Sequence, residues 1–262
     1  MTNHEEEKLT GGNVSNVYLS GGTVRRELKP GSTNIHKLLK HLEEKNFPYA
    51  PRFLGIDKKD REILTHIEGE AGHYPLKEYM WSNESLREIA NMLRLYHEAV
   101  SDFPIDESWQ PLDHTPPPFE VICHNDFAIY NIIFNDKSPI GIIDFDVAAP
   151  GPRMWDIAYT LYTCVPLSRV FYSEKGKPVY YHSSQHSDRT KERIALFFKS
   201  YGNKIEEDYM DIVVQRLEGL CATIKRKAEE NDMAFQKMIE EGHLEHYQSD
   251  IKFIREHKHE WI

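Results

Sequence analysis

Residues 122–134 read ICHNDFAIYNIIF, and this stretch determines most of what the sequence predicts. Two short apolar runs, 121–123 and 131–134, enclose a loop that carries His124, Asp126 and Asn131. Short apolar runs bounded by polar residues are typical of buried strands. We therefore expect the two strands to hold the loop rigidly, with its polar side chains at one mouth.

A second acidic motif follows, where residues 141–146 read GIIDFD and place Asp144 at the end of an apolar strand. Asp144 and Asn131 then lie at adjacent hairpin ends, where their oxygens can share a hard cation. Mg²⁺ prefers oxygen ligands and completes its shell with water and substrate phosphates. Asp126 remains free to face an incoming hydroxyl. This layout suits phosphoryl transfer, which depends on positioning, charge neutralisation and orientation of the nucleophile.

The two motifs, in this order and spacing, resemble the catalytic loop and metal-binding segment of the aminoglycoside phosphotransferase-like family. Members of that family are small-molecule relatives of the protein kinases. Residues 154–159 (MWDIAY) and 94–97 (RLYH) extend the likeness, which is strongest over residues 86–167. Either motif alone would be weak, but the pair is fairly specific. The resemblance implies an α+β, protein-kinase-like two-lobed fold, with a small N-terminal antiparallel sheet, one helix in that lobe and a larger, mainly helical C-lobe.

The resemblance also implies roles for individual residues. Asp126 would be the catalytic base, and His124 would pin its loop by hydrogen bonds. Asn131 and Asp144 would bind Mg²⁺, and Asp156 would brace the loop backbone from a neighbouring helix. Asp146 is a further candidate for metal or substrate. The implied reaction moves the γ-phosphate of ATP or GTP to a hydroxyl of a small molecule, such as an aminoglycoside-like antibiotic, an amino alcohol or a sugar.

The N-terminal half matches the family less closely. Gly11, Gly12 and Ser15 stand where the family's phosphate-covering loop is expected, although the stretch is not GxGxxG. Arg26 takes the place of the usual phosphate-binding lysine, since an arginine can hold phosphate with two N–H groups. The glutamate that normally pairs with that lysine is not evident, so either His36 substitutes for it or the pairing is lost. Backbone groups at His66 and Ile67 would hold the nucleotide base.

The lobe boundary is expected near residue 67, because the pattern changes there from mostly strand to mostly helix. This gives an N-terminal nucleotide-binding lobe of residues 1–67 and a C-terminal catalytic and substrate-binding lobe of residues 68–262. Strands are expected at 53–56 and 62–67, and helices are expected from about residue 187 to the end. A monomer is expected, because no apolar stripe stands out from the core pattern.

Composition excludes several classes of protein. The 262 residues carry a formal net charge of −10, which argues against non-specific nucleic-acid binding. The three cysteines, Cys123, Cys164 and Cys221, match no zinc or disulfide spacing, so a reducing cytoplasm is expected. The N-terminus lacks the pattern of a signal peptide, and no apolar run is long enough to span a bilayer.

Two other functions stay open. A non-catalytic binding or immunity-type relative could have kept the fold, and the missing lysine–glutamate pair favours it. A metal-dependent hydrolase could use His124, Asp126, Asp144 and Asp156 as a metal site. The acceptor is also open. The acidic residues Glu206, Glu207, Asp208, Asp211 and Glu218 suit either a cationic acceptor or a solvated helix face, whereas Trp155, Tyr159 and Tyr162 could line an apolar pocket.

Overall fold

A computed structural model describes residues 6–8, 17–205 and 208–262. The predicted phosphate-covering residues Gly11, Gly12 and Ser15 lie outside the described residues, as do Glu206 and Glu207.

The N-terminal part is a five-stranded antiparallel sheet with one helix. Its elements are β1 (Glu7–Lys8), β2 (Val17–Ser20), β3 (Thr23–Glu27), α1 (Ser32–Glu44), β4 (Phe53–Ile56) and β5 (Arg61–Thr65). The strand order is β1-β2-β3-β5-β4. Gly21 and Gly22 both have positive φ, which makes the tight turn between β2 and β3. Strands β3 and β5 pair in a register that sets Arg26 opposite Glu62.

Helix α1 packs through one apolar face. Ile35, Leu38, Leu39 and Leu42 recur at helical spacing and are all buried. The helix begins after Gly31, whose φ of 89° is a left-handed conformation that suits glycine. Burying each such leucine or isoleucine contributes about 1.5–3 kcal/mol, so this face accounts for most of the helix's attachment.

The rest of the described chain is mainly helical. Its strands are β6 (Glu70–Ala71), β7 (Val121–Cys123), β8 (Ile132–Asn135), β9 (Ser138–Ile142), β10 (Ala149–Gly151), β11 (Val170–Tyr172) and β12 (Pro178–Tyr180). Its helices are α2 (Asn83–Ala99), α3 (Arg153–Cys164), α4 (Ser183–Tyr201), α5 (Tyr209–Glu229), α6 (Met233–Glu240) and α7 (His243–His257). The predicted α+β fold, a small antiparallel sheet followed by a larger helical part, is confirmed. The β11–β12 hairpin was not predicted, because its alternation is too short to stand out.

A continuous core joins the helices of the C-terminal part. Trp155, Leu161, Phe197 and Leu217, from α3, α4 and α5, are fully buried. Arg193 of α4 is also buried. Its guanidinium donates to the backbone carbonyls of Trp81 and Cys164 and to the side-chain oxygen of Asn83, which fits a structural role. Within the described ranges, no helix combines the length and hydropathy needed to cross a bilayer.

A close backbone approach fixes the segment after β6 against the turn that precedes β8. A Cβ placed on Gly72 would lie 2.1 Å from the carbonyl oxygen of Ile129, which is backbone and cannot rotate away. The Gly72 N–H also donates to the Ile132 carbonyl, at 3.1 Å. Only glycine fits at this position.

We expect Gly72→Ala to lower the free energy of unfolding by about 1–3 kcal/mol, because the added methyl group must push two backbone segments apart. Chemical denaturation measures the change. The control is Lys77→Ala, which removes an exposed ion pair with Glu70 and should cost less than about 1 kcal/mol. Equal stability of the Gly72→Ala variant and the parent protein would contradict the close approach.

Candidate active site

Asp156 accepts hydrogen bonds from the backbone of the polar loop between β7 and β8, which comprises residues 124–131. Its two carboxylate oxygens accept the backbone N–H groups of His124 and Asn125, each at 2.7 Å. Asp156 lies in the first turn of α3 and is completely buried. The carboxylate therefore satisfies two backbone donors that would otherwise be unpaired inside the protein.

A second helix supports Asp156. His97 of α2 lies 3.1 Å from the Asp156 carboxylate through Nε2, and its Nδ1 lies 2.7 Å from the Tyr201 hydroxyl. Burial by itself would raise the pKa of Asp156, but the hydrogen bonds from His97 and the loop backbone hold it below its ordinary value. Asp156 is thus a charged acceptor with every oxygen used. The likeness at residues 94–97 indicated helix α2, but it did not indicate the contact between His97 and Asp156.

His124 supports the loop from within. Its Nδ1 accepts the backbone N–H of Asp126, at 3.2 Å, and its ring lies against Phe145 with centroids 4.5 Å apart. Burial lowers the pKa of His124 to about 4, so the ring is neutral near pH 7. A neutral, buried ring that accepts a loop N–H suits positioning rather than proton transfer.

Asp126 and Asn131 lie side by side at the mouth of the loop. The Asn131 side-chain N–H donates to the Asp126 carboxylate at 2.7 Å and to its backbone carbonyl at 3.0 Å. The other Asp126 oxygen accepts the Tyr130 hydroxyl at 2.5 Å. Burial raises the pKa of Asp126 to about 6, and the two hydrogen bonds oppose that rise.

The β8–β9 hairpin brings Asn131 and Asp144 to the same edge. Ile132 pairs with Ile142 at the end of this hairpin, and Ile143 donates its N–H to the Asn131 carbonyl at 3.0 Å. Asp144 follows directly, in a left-handed conformation with φ 65° that is uncommon for a residue other than glycine. Its side chain is 49% exposed and lies 3.5 Å from Arg26. Asp144 therefore lies in a solvent-exposed opening where β3 meets the 144–146 segment. Partial desolvation of the carboxylate by the protein around it and the negative charge of Asp146 raise the pKa of Asp144.

Arg26 reaches across from the sheet to these carboxylates. Its guanidinium donates to Asp146 at 2.5 Å and lies 3.5 Å from Asp144. Lys29 adds a second cation, 2.6 Å from Asp146. Burial would raise the pKa of Asp146, but Arg26 and Lys29 hold it below its ordinary value. Two cations and two carboxylates therefore meet where β3 faces the 144–146 segment.

The expectation for the partner of Arg26 was wrong. Arg26 is paired with Glu62 on β5, directly across the strand pair, and Glu62 is only 1% exposed. His36 does not replace the glutamate, because its Nε2 lies 2.7 Å from the other Glu62 oxygen. Glu62 lies on strand β5, whereas His36 lies on helix α1. Cross-strand register would have identified Glu62, since an acidic residue opposite a basic one in an antiparallel pair is a stabilising contact.

The remaining predicted nucleotide contacts lie at the end of β5. The His66 N–H approaches the Gly22 carbonyl at 3.4 Å, and the Ile67 side chain packs where Gly141 has no Cβ. Contact of His66 and Ile67 with a nucleotide base stays a prediction.

The structure does not contain the metal site that the hydrolase alternative requires of His124, Asp126, Asp144 and Asp156. Asp156 is buried beneath the loop with its oxygens used, whereas Asp144 faces the opening. Among the residues that the structure describes, no group of three or more His, Cys, Asp or Glu side chains converges to hold a metal ion. His124, Asp126, Asp144 and Asp156 therefore do not form one metal centre.

The side of Asp126 that carries Tyr130 is aromatic. Tyr159 approaches Tyr130 with its hydroxyl, and the guanidinium of the buried Arg216 lies 4.7 Å from the Tyr159 ring. Trp155 is buried in the core rather than lining an open pocket. On α5, Asp211 pairs with Lys258 and Glu218 pairs with Arg255, so these two acidic residues are neutralised at the surface. They do not present an acidic wall to the loop.

We expect Asp156→Ala to lower the free energy of unfolding by about 3 kcal/mol, because it leaves two buried backbone N–H groups unpaired. Denaturant unfolding measures the loss. Asp211→Ala removes an exposed carboxylate with one cationic partner and serves as the control, with an expected cost below about 1 kcal/mol. Similar losses in the two variants would mean that Asp156 does not brace the loop.

A family model matches the central segment of the chain. Residues 73–177, which include the 124–131 loop and Asp156, match the model of the phosphotransferase enzyme family. The trifolitoxin immunity protein of Rhizobium leguminosarum bv. trifolii is 36% identical over 153 residues. That match spans 56% of this chain and 57% of the length of the relative.

Solved structures of similar fold cover nearly the whole chain. A GDP complex of aminoglycoside 2'-phosphotransferase-IIIa superposes with a TM-score of 0.60 and 15% identity, over 96% of this chain and 94% of that one. An aminoglycoside phosphotransferase of Streptomyces rimosus superposes with a TM-score of 0.52 and 14% identity, over 83% of this chain and 92% of that one. The resemblance read from the motifs is thereby confirmed: the chain has the fold of the aminoglycoside phosphotransferases, and its central segment matches the phosphotransferase family.

Proposed function

We propose that this protein transfers the γ-phosphate of ATP or GTP to a hydroxyl group of a small molecule, with Mg²⁺ bound beside the nucleotide. One observation carries the proposal. A series of direct contacts brings together the Asp126 carboxylate, the Asn131 amide, the Asp144 carboxylate and the Arg26 guanidinium. Phosphoryl transfer needs a residue to orient the nucleophile, oxygen ligands for a metal, and a cation on the phosphates, and these four residues supply them.

The residues at the hairpin edge fit Mg²⁺. The amide nitrogen of Asn131 is used in its bonds to Asp126, which leaves the amide oxygen available to a cation. Asp144 offers a half-exposed carboxylate at the same edge. Two protein ligands are enough, because Mg²⁺ usually takes its other ligands from water and substrate phosphates. When bound there, Mg²⁺ would neutralise the negative charge on the phosphate oxygens.

Under this proposal, Arg26 holds the phosphates. Glu62 fixes the guanidinium at Nε from the adjacent strand, and this leaves the two terminal nitrogens pointing toward the 144–146 segment. Those nitrogens contact the carboxylates of Asp146 and Asp144, and the phosphate oxygens of a bound nucleotide would compete for them. The planar fork of an arginine suits this bidentate contact.

Under this proposal, Asp126 orients the acceptor. Asn131 fixes one of its oxygens, and the other is directed toward the aromatic side of the loop. An acceptor hydroxyl within hydrogen-bond distance of that second oxygen would be aligned for attack and could pass its proton to the carboxylate. Structural neighbours support the assignment of a nucleotide donor, since they include complexes with GDP, with ADP, and with streptomycin and ATP together.

The first test is thermal melting with ATP or GTP, with and without Mg²⁺. A ligand that binds the folded state raises the melting temperature, so we expect a rise that needs both nucleotide and metal. Asp144→Asn should lose the metal-dependent part of the rise. Asp126→Asn should keep the rise but lose phosphate transfer, because it changes the base and leaves the metal ligands intact. No shift with any nucleotide well above millimolar concentration would contradict the proposal.

A matched pair on one strand tests the phosphate contact. We expect Arg26→Gln to weaken binding of the Mg²⁺–nucleotide complex by at least about tenfold, about 1.4 kcal/mol, because a charge-assisted contact to phosphate is lost. The neighbouring Arg25 points away, toward Thr23 and Asp57, so Arg25→Gln should change binding little. Titration calorimetry measures both affinities. An equal loss of affinity in the two variants would mean that binding responds to the net charge of the protein and not to a contact with Arg26.

A second candidate function rests on the trifolitoxin immunity protein. The match to that relative favours a protein that protects its host from a toxin, either by binding it or by phosphorylating it. A protein that only binds would show no Mg²⁺-dependent nucleotide binding. The melting experiment therefore separates phosphoryl transfer from protection by binding alone.

A further inference from the structure

Three tyrosine hydroxyls form a chain that ends on Asp126. The Tyr130 hydroxyl donates to Asp126 Oδ1 at 2.5 Å and lies 2.9 Å from the Tyr159 hydroxyl, which in turn lies 3.5 Å from the Tyr247 hydroxyl. Tyr130 belongs to the short turn Ile129–Asn131, Tyr159 to α3 and Tyr247 to α7. Tyr130 is the member of this cluster that touches the carboxylate.

The Tyr130 hydroxyl has the position that a phosphate acceptor would take. A general base must lie within hydrogen-bond distance of the hydroxyl whose proton it accepts. Of the two Asp126 oxygens, Oδ2 is held by Asn131 and Oδ1 is held by Tyr130. The Asp126 oxygen that Asn131 does not hold, Oδ1, is therefore bonded to a hydroxyl group of the chain itself.

Further contacts connect the Tyr130 hydroxyl to Asn131 and Asp144, the two proposed metal ligands. Tyr130 immediately precedes Asn131, whose carbonyl accepts the Ile143 N–H next to Asp144. Hydroxyl, base and metal ligands therefore lie in one series of direct contacts. Tyr130 is half-buried rather than enclosed, and its hydroxyl contacts only Asp126 and Tyr159 among the described side chains.

We propose that Tyr130 is itself a phosphate acceptor, so that the protein phosphorylates its own Tyr130 hydroxyl when Mg²⁺ and a nucleoside triphosphate are bound. This rests on the proposed function. In the reaction, Tyr130 Oη forms a bond to the γ-phosphorus, and the bond from that phosphorus to the oxygen bridging to the β-phosphate breaks. The Tyr130 proton passes to Asp126, and the nucleoside diphosphate leaves with the bridging oxygen.

The same geometry makes the reaction self-limiting. A phosphate on Tyr130 would occupy the acceptor side of Asp126 and exclude other hydroxyls from it. Arg216 offers positive charge on this side. Its guanidinium stacks on Tyr159 and donates to the Asn125 carbonyl at 2.6 Å, and its Nε has no hydrogen-bond partner among the described residues. We therefore expect a single phosphate per chain.

The test is incubation of the full chain with Mg²⁺ and ATP or GTP, followed by phosphopeptide mapping by mass spectrometry. We expect phosphate on Tyr130 in the parent protein, at a rate per chain that does not depend on protein concentration. Tyr130→Phe and Asp126→Asn should both lose it. Tyr247→Phe, which removes the hydroxyl farthest from Asp126 in the same cluster, should keep it.

The outcomes separate this inference from the proposed function. If Mg²⁺ and nucleotide raise the melting temperature but Tyr130 carries no phosphate, the self-acceptor inference is overturned and the proposed function stands. Labelling of Tyr130→Phe at another residue to the parent's extent would also overturn it. If nucleotide does not bind, both are overturned. Melting curves of Tyr130→Phe, which removes one oxygen atom, show whether a loss of labelling reflects misfolding.

Discussion

Two backbone N–H groups of the 124–131 loop donate to the buried Asp156 carboxylate, and the candidate site depends on this contact. The loop has no regular secondary structure at this point, so its backbone donors need a partner inside the protein. A charged acceptor in the first turn of α3 provides it, and His97 from α2 supports that charge. Two helices thereby fix the loop backbone, and Asp126 and Asn131 take their places from it.

A second network links the sheet to the C-terminal part. Glu62 lies opposite Arg26 in the β3–β5 pair and fixes one side of its guanidinium, which leaves the other side to reach Asp144 and Asp146. The position of this cation therefore depends on strand register rather than on the placement of helix α1. His36 connects α1 to the same glutamate and stacks on Phe53, so the helix is tied to the network without supplying its carboxylate.

The surroundings of Asp126 differ on its two sides. On the side of Asp144 and Arg26 the groups are carboxylates and cations, which suit Mg²⁺ and phosphate. On the side of Tyr130 they are tyrosines and the buried Arg216, which donates to the Asn125 carbonyl. Under the proposed function, this buried cation would disfavour an acceptor with many positive charges, because like charges in a recessed site repel. The acidic residues of α5 that could have offset this are paired with cations at the surface.

The sequence by itself determined the fold and the positions of the chemistry-bearing loop. Apolar spacing in α1 and α2 and the short runs around residues 122–134 predict the elements because burial follows local periodicity. The two acidic motifs predicted that Asp126, Asn131 and Asp144 would meet, since hairpin ends bring neighbouring residues together. Tertiary structure alone decided the contacts between distant segments. Glu62 meets Arg26 through strand register, and His97 meets Asp156 through the packing of α2 against α3. The Tyr130 hydroxyl bonds to Asp126 because of a side-chain direction that residue order does not specify. Such pairings are set by how whole elements pack, and a local pattern carries no record of that packing.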